Sequence, residues 1–297
     1  NLTVSYCTFR HCKASWAGGG VFGVNSFCNI QYTTFHGCEA FGGVAQPGGG
    51  GIFCSITVVN IGHCLIQYCH SGYGGGIFLE GGTTGTINNN IIRNNTASGA
   101  SISHSGGISC ENQASPTIEN NFIGWNHAAS SAGGVYCNNG SSPIYKNNII
   151  VGNTAPLKGG GILCSQGTPS IINCIVYGNS ASYGSGIWCQ EGTVPTILNT
   201  TVSENLSGAG LAGGVSSGAS IRFMDFYNNQ GGNISGSFPP GIGNIVTTNY
   251  NGDPCDIYKN IFLDPRYIAP FDTNYHLLDN SPCIDGGDTN SVYNDPT

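Results

Sequence analysis

Residues 133–164 read GGVYCNNGSSPIYKNNIIVGNTAPLKGGGILC, and they contain one full period of the chain. The stretch opens and closes on one phrase: two glycines, an aliphatic residue, a variable residue and a cysteine. Variants of that phrase begin at Gly18, Gly49, Gly74, Gly106, Gly133, Gly159, Gly184 and Gly213. A second phrase, aliphatic or Phe, then two residues, then Asn or Cys, starts at Phe9, Phe35, Ile66, Ile92, Ile123, Ile150, Val176, Val202 and Phe226. Five residues before each of these lies a third apolar position: Val4, Ile30, Ile61, Ile87, Ile118, Tyr145, Ile171, Ile197 and Ile221.

Three short strands and three turns fit each period of about 27 residues, and no segment repeats with the 3.6-residue period of a helix. The leucine-rich ladder of the other repeat class with a similar period is missing as well. Alternation within a strand sends the aliphatic residue and the cysteine of the Gly-Gly phrase to one face. Stacking successive periods about 4.8 Å apart then builds interior columns of like residues. One column is expected to hold Val21, Ile52, Ile77, Ile108, Val135, Ile162, Ile187 and Val215, and a second Cys54, Leu79, Cys110, Cys137, Cys164 and Cys189. The fold class expected is all-β, a single-stranded right-handed parallel β-helix of about nine coils.

The asparagines at 95, 126, 153, 179, 205 and 229 predict a ladder of side-chain amides at one corner, with Cys12, Cys38 and Cys69 in the same place in the first coils. From Gly231 the period fails and Pro-containing turns take over, so residues 1–230 are expected to form the β-helix and 231–297 an irregular C-terminal cap. Cys255 and Cys283 fall in the cap, where a disulfide would constrain a loop. The interior cysteines are expected to be free buried thiols.

Composition narrows the function classes. Of 297 residues 8% are charged, 48 are glycine, and 15 acidic against 8 basic residues give a net charge of -7 with no basic cluster, which argues against a nucleic-acid partner. No apolar run is long enough to span a bilayer, and the chain opens within a strand pattern, as a mature product or an excised piece would.

The paired Gly-Gly-aliphatic and F-x-x-N phrases, from Asn1 to about Gln230, resemble the repeats of chlamydial polymorphic outer-membrane proteins and of bacterial right-handed β-helix repeat proteins. Asn274-Tyr275-His276-Leu277 with the run from Asn280 to Asp288 is similar to the closing segment of large bacterial surface proteins. The resemblance implies an extracellular or cell-surface location.

Candidate functional residues lie beside the Gly-Gly strands. The variable position carries Phe22, Phe53, Phe78, Tyr136 and Trp188, an outward aromatic stripe suited to a carbohydrate surface, or else buried beneath loops. The longer excursions from Glu39 to Gly51 and from Thr96 to Gly107 lie at the adjoining corner. Glu80 and Glu111 follow the strand in adjacent coils, as a glycosidase carboxylate pair or as two solvated charges. The basic residues of uronate lyases and the motif set of polygalacturonases are missing. Asp285, Asp288 and Asn290 offer oxygen ligands for Ca²⁺ in a Gly-rich turn, although a capping turn is the simpler reading; no other cofactor is expected. The reading favours a non-enzymatic adhesive domain, stalk or filament subunit that binds polysaccharide, a cell-surface partner or copies of itself. The alternative is a polysaccharide lyase or hydrolase acting near Glu80 and Glu111.

Overall fold

The computed structural model describes residues 1–41, 48–99, 104–288 and 290. Three parallel sheets of nine strands each run the length of the molecule, one strand per coil, joined at three corners. The first contains Leu2–Ser5, Phe27–Gln31 and their successors to Ser220–Arg222; the second runs from Thr8–Arg10 to Asp225–Tyr227. The third runs from Val21–Val24 to Ile234–Ser237, and a narrower sheet of two-residue strands such as Glu39–Ala40 and His70–Ser71 sits before it. This is the parallel β-helix that the repeat predicts.

Register follows the columns. Val4 pairs with Ile30, Phe9 with Phe35 and Ile162 with Ile187, so like residues stack directly. The core is one continuous cluster of these aliphatic, aromatic and cysteine side chains. Its cysteines are free, and burial pushes the Cys174 thiol up to about 11, which keeps it protonated in the interior. The eighth Gly-Gly phrase departs from expectation. Ile187 pairs with Leu211, not Val215, because Gly210-Leu211 supplies the small-then-aliphatic step four residues earlier. The parallel ladder also crosses residue 231, since Ile234–Ser237 pairs with Leu211–Gly214.

The corners explain the residue types between strands. At the corner between the first and second sheets one residue of each coil takes a left-handed conformation, as at Asn120, Asn147 and Asn173 with φ of 56°, 54° and 53°. Short polar side chains tolerate that region best. In the first coils the same corner carries Tyr6, Tyr32 and His63, whose rings stack at 5.0 and 4.7 Å.

In the first six coils the glycine two places before the aliphatic residue is closely enclosed by backbone, and Ser185 takes that place in the seventh. A Cβ on Gly106 would lie 2.5 Å from the Gly133 carbonyl oxygen and 2.6 Å from the His127 nitrogen, both backbone atoms. Gly50, Gly75, Gly133 and Gly160 are enclosed in the same way. Gly106→Ala is therefore expected to cost about 2–3 kcal/mol through forced backbone shifts. Gly140→Ala, at φ +78° but with only the Gln113 side chain 3.6 Å away, should cost about 1 kcal/mol. Equal midpoints for the two variants in denaturant unfolding would refute the crowding account.

Candidate functional site

The aromatic stripe exists, but it is roofed. Phe22, Phe53 and Phe78 stack with centroids 5.3 and 5.7 Å apart, yet Phe53 is 4% and Phe78 1% exposed. Residues just before several of the Gly-Gly phrases fold back over the strand. Ala17 and Tyr73 cover Phe53 and Phe78, His104 leans on Tyr136 at 5.1 Å, and Lys158 Nζ lies 4.7 Å above the Trp188 ring with Tyr183 at its edge. Tyr136 and Trp188 are consequently half-buried, which corrects the open-surface reading of Phe53, Phe78, Tyr136 and Trp188 in favour of burial, while Phe22 at the start of the stripe stays 45% exposed. Of the two longer excursions, residues 42–47 and 100–103 lie outside the described residues.

Glu80 and Glu111 occupy adjacent coils, but each has its own partners. Glu111 is buried, and its Oε1 accepts from Ser109 Oγ at 2.8 Å and faces His104 Nδ1 at 2.5 Å. Glu80 accepts a longer bond from Asn112 Nδ2 at 3.4 Å, and its partial burial raises its carboxyl above the usual range. The arrangement is thus a His–Glu pair with a half-buried glutamate alongside. Ser109 donates to the glutamate, so the three residues do not form a nucleophilic triad, in which serine would donate to histidine. His104 and Glu111 lie seven residues apart in the sequence, and the signal that joins them is the place of His104 two residues before its Gly-Gly phrase.

At the C-terminal end, Cys255 and Cys283 are both free, so the disulfide that the cap could hold is not formed. The Cys283 sulfur turns instead into the last coil and donates to Asp225 Oδ2 at 3.2 Å. Asp225 Oδ1 accepts from the Leu263 N–H, so one buried carboxyl ties two cap segments to the second sheet. Burial raises its pKa to about 7. A cavity of about 70 Å³ beside it is lined by Asn199, Thr201, Asp225, Cys283 and Gly287 among others. Asp288 lies in the neighbouring turn, where its N–H donates to Asn199 Oδ1 and its own Oδ1 accepts from Asn290 N–H. Asp285 sits at φ 55°. Among the described residues, no group of three or more His, Cys, Asp or Glu is disposed to hold a metal ion.

A concavity lies where the cap crosses the second sheet. A hairpin of Tyr267–Ala269 and Asn274–Leu277 packs Tyr267 and Tyr275 edge-on against Tyr177, with centroids 5.4 to 5.9 Å apart, and Thr201 bonds the Tyr267 hydroxyl. Beside this cluster a groove of about 360 Å³ is walled by Tyr177, Tyr227, Tyr267 and Phe271, with Glu204, Asp264 and Arg266 at its edge. Phe271 is 94% exposed at the hairpin tip. Asp264 and Arg266 also border a second depression of about 640 Å³ that continues toward Asp253 and Asp279. Tyr177 and Tyr227 are outward residues of the second phrase, and the cap residues belong to no repeat, so nothing in the periodicity brings them together.

Among the described residues no helix is long and apolar enough to cross a membrane. The chain matches no curated protein and no solved structure. Residues 101–262, more than half of the chain, match the family model described as a right-handed β-helix region. Coils, register and family model therefore agree, and the chain belongs to the right-handed β-helix family.

Proposed function

We propose that the chain is a polysaccharide-binding β-helix domain of an extracellular or cell-surface protein, and that the groove between the second sheet and the cap is its recognition site. The observation that carries this reading is the aromatic wall of Tyr177, Tyr227, Tyr267 and Phe271 flanked by polar groups. Sugar rings offer an apolar C–H face and a rim of hydroxyls, so an aromatic face combined with carboxylate and guanidinium groups complements both. Phe271 is exposed almost completely, and an apolar ring held in water at a hairpin tip is suited to covering a ligand. The binding role is non-enzymatic in this reading, and the glutamate-centred alternative has less support, because Glu80 and Glu111 engage separate partners.

Affinity electrophoresis through gels containing neutral or charged polysaccharides tests the proposal. At least one glycan should retard the protein, and Phe271→Ala should weaken that binding by roughly tenfold, as loss of one stacked ring implies. Tyr136→Phe, under the roof of the covered stripe, should leave it unchanged. Retardation that survives Phe271→Ala, or no retardation by any glycan, would remove the groove from consideration.

A further inference from the structure

We infer that the groove is built for a glycan carrying free amino groups rather than for a uronate polymer; this rests on the glycan-binding reading above. The inference comes from charge. Four carboxylates, Glu204, Asp264, Asp253 and Asp279, line the two depressions, which share Asp264 and Arg266, against the single guanidinium of Arg266. Arg266 spends Nη1 on the Asn280 carbonyl at 2.8 Å. Among the described residues none of the four carboxylates forms an ion pair with Arg266 or a lysine.

Their bonds are to neutral donors. Both Glu204 oxygens accept from Asn228 Nδ2 at 3.0 and 2.9 Å, Asp253 Oδ2 from Asn249 Nδ2 at 3.1 Å, and Asp264 Oδ1 from the Arg266 N–H at 2.8 Å. Such bonds fix the carboxylates in place without cancelling their charge. Carboxylates beside an aromatic wall suit a chain of sugars whose amines meet the carboxylates while the ring faces meet Tyr177, Tyr227 and Phe271. A uronate at each sugar would place like charges within a Debye length of about 8 Å of these carboxylates. The chain's overall charge of -7 adds to that repulsion.

The test compares three probes by isothermal titration: an oligomer of β-1,4-linked glucosamine, its fully N-acetylated counterpart, and an oligogalacturonate of equal length. At low salt the amine oligomer should bind on the order of tenfold more tightly than the acetylated one, with the advantage fading by about 0.3 M salt. The Asp264→Asn/Asp279→Asn variant should abolish the advantage. Glu80→Gln/Glu191→Gln, which removes as much charge outside the groove, should preserve it. Equal binding of the amine and acetylated forms, sensitive to Phe271→Ala, would overturn the amine inference and leave the glycan groove standing. Tighter binding of the galacturonate, or an equal loss in both charge variants, would also overturn it. Binding of none of the probes would count against both readings.

Discussion

Asn153→Leu is expected to lower the unfolding free energy by about 4 kcal/mol. Asn153 is fully buried. Its Oδ1 accepts from both the backbone N–H and Nδ2 of Asn126 at 3.0 Å, and its Nδ2 donates to the Ile123 carbonyl at 2.9 Å and to Asn179 Oδ1 at 3.0 Å. Leucine is close in size but can make none of these bonds and admits no water. It strands one backbone donor and one backbone acceptor, each costing about 1–3 kcal/mol when buried without a partner. Asn228→Ala, at the exposed corner next to the ladder, loses its bonds to Glu204 and places alanine at a left-handed φ of 46°, and should cost no more than about 2 kcal/mol. Denaturant unfolding of the two variants reads the difference directly. An Asn153→Leu protein with the parent's midpoint would mean that the amide ladder contributes nothing to stability.

Asp225→Asn is expected to act in the opposite direction, stabilising the protein at neutral and alkaline pH. Burial lifts the Asp225 carboxyl from the usual 3.8 to about 7, with the charges of Asp264 and Asp253 adding to the rise and the Cys283 and Leu263 bonds opposing it. The folded protein therefore holds a proton that the unfolded chain releases near pH 4. The contribution of this group is fully present below about pH 4, falls as pH rises toward 7, and levels off above it, a total loss of about 4 kcal/mol. Asparagine keeps an acceptor for the Leu263 N–H and has no charge to bury. In unfolding titrations from acid to pH 8, the parent's stability should decline relative to the variant across that window. Parallel curves would show that Asp225 is not the group that couples the last coil to pH.

The repeat made most of the fold legible, because a parallel stack turns each structural position into a column of similar residues. Ile162 and Ile187, or Asn126 and Asn153, can be matched without knowing any geometry. A second ladder, Asn90, Asn121 and Asn148, follows the same logic at the preceding corner, where Asn121 Nδ2 donates to Asn148 Oδ1 at 3.0 Å; it is hard to see in the sequence because Cys64, Cys174 and Thr200 interrupt the column. Alternation likewise pointed Phe53 and Phe78 outward correctly, but outward from the strand is not outward to water. Whether a residue is roofed depends on how the segment before it folds back, and Tyr73 and His104 do this from loops of unequal length. The candidate groove was the least legible part. Tyr177 belongs to a coil while Tyr267 and Phe271 belong to the cap, and long-range packing outside the repeat carries no periodic signal.

The amide ladder also sets the unit in which this chain can change. Each rung offers its neighbours the same pattern of donors and acceptors, so a coil removed or duplicated between equivalent corners leaves every remaining rung with a correct partner, as Asn126, Asn153 and Asn179 already show by being interchangeable in their bonds. Loss of a single residue within a strand would instead shift the inward face outward for that coil and break the column above and below it. The length of this molecule is thus free to drift in whole turns while its cross-section is held nearly fixed, and a lineage built this way can alter its reach without redesigning its core.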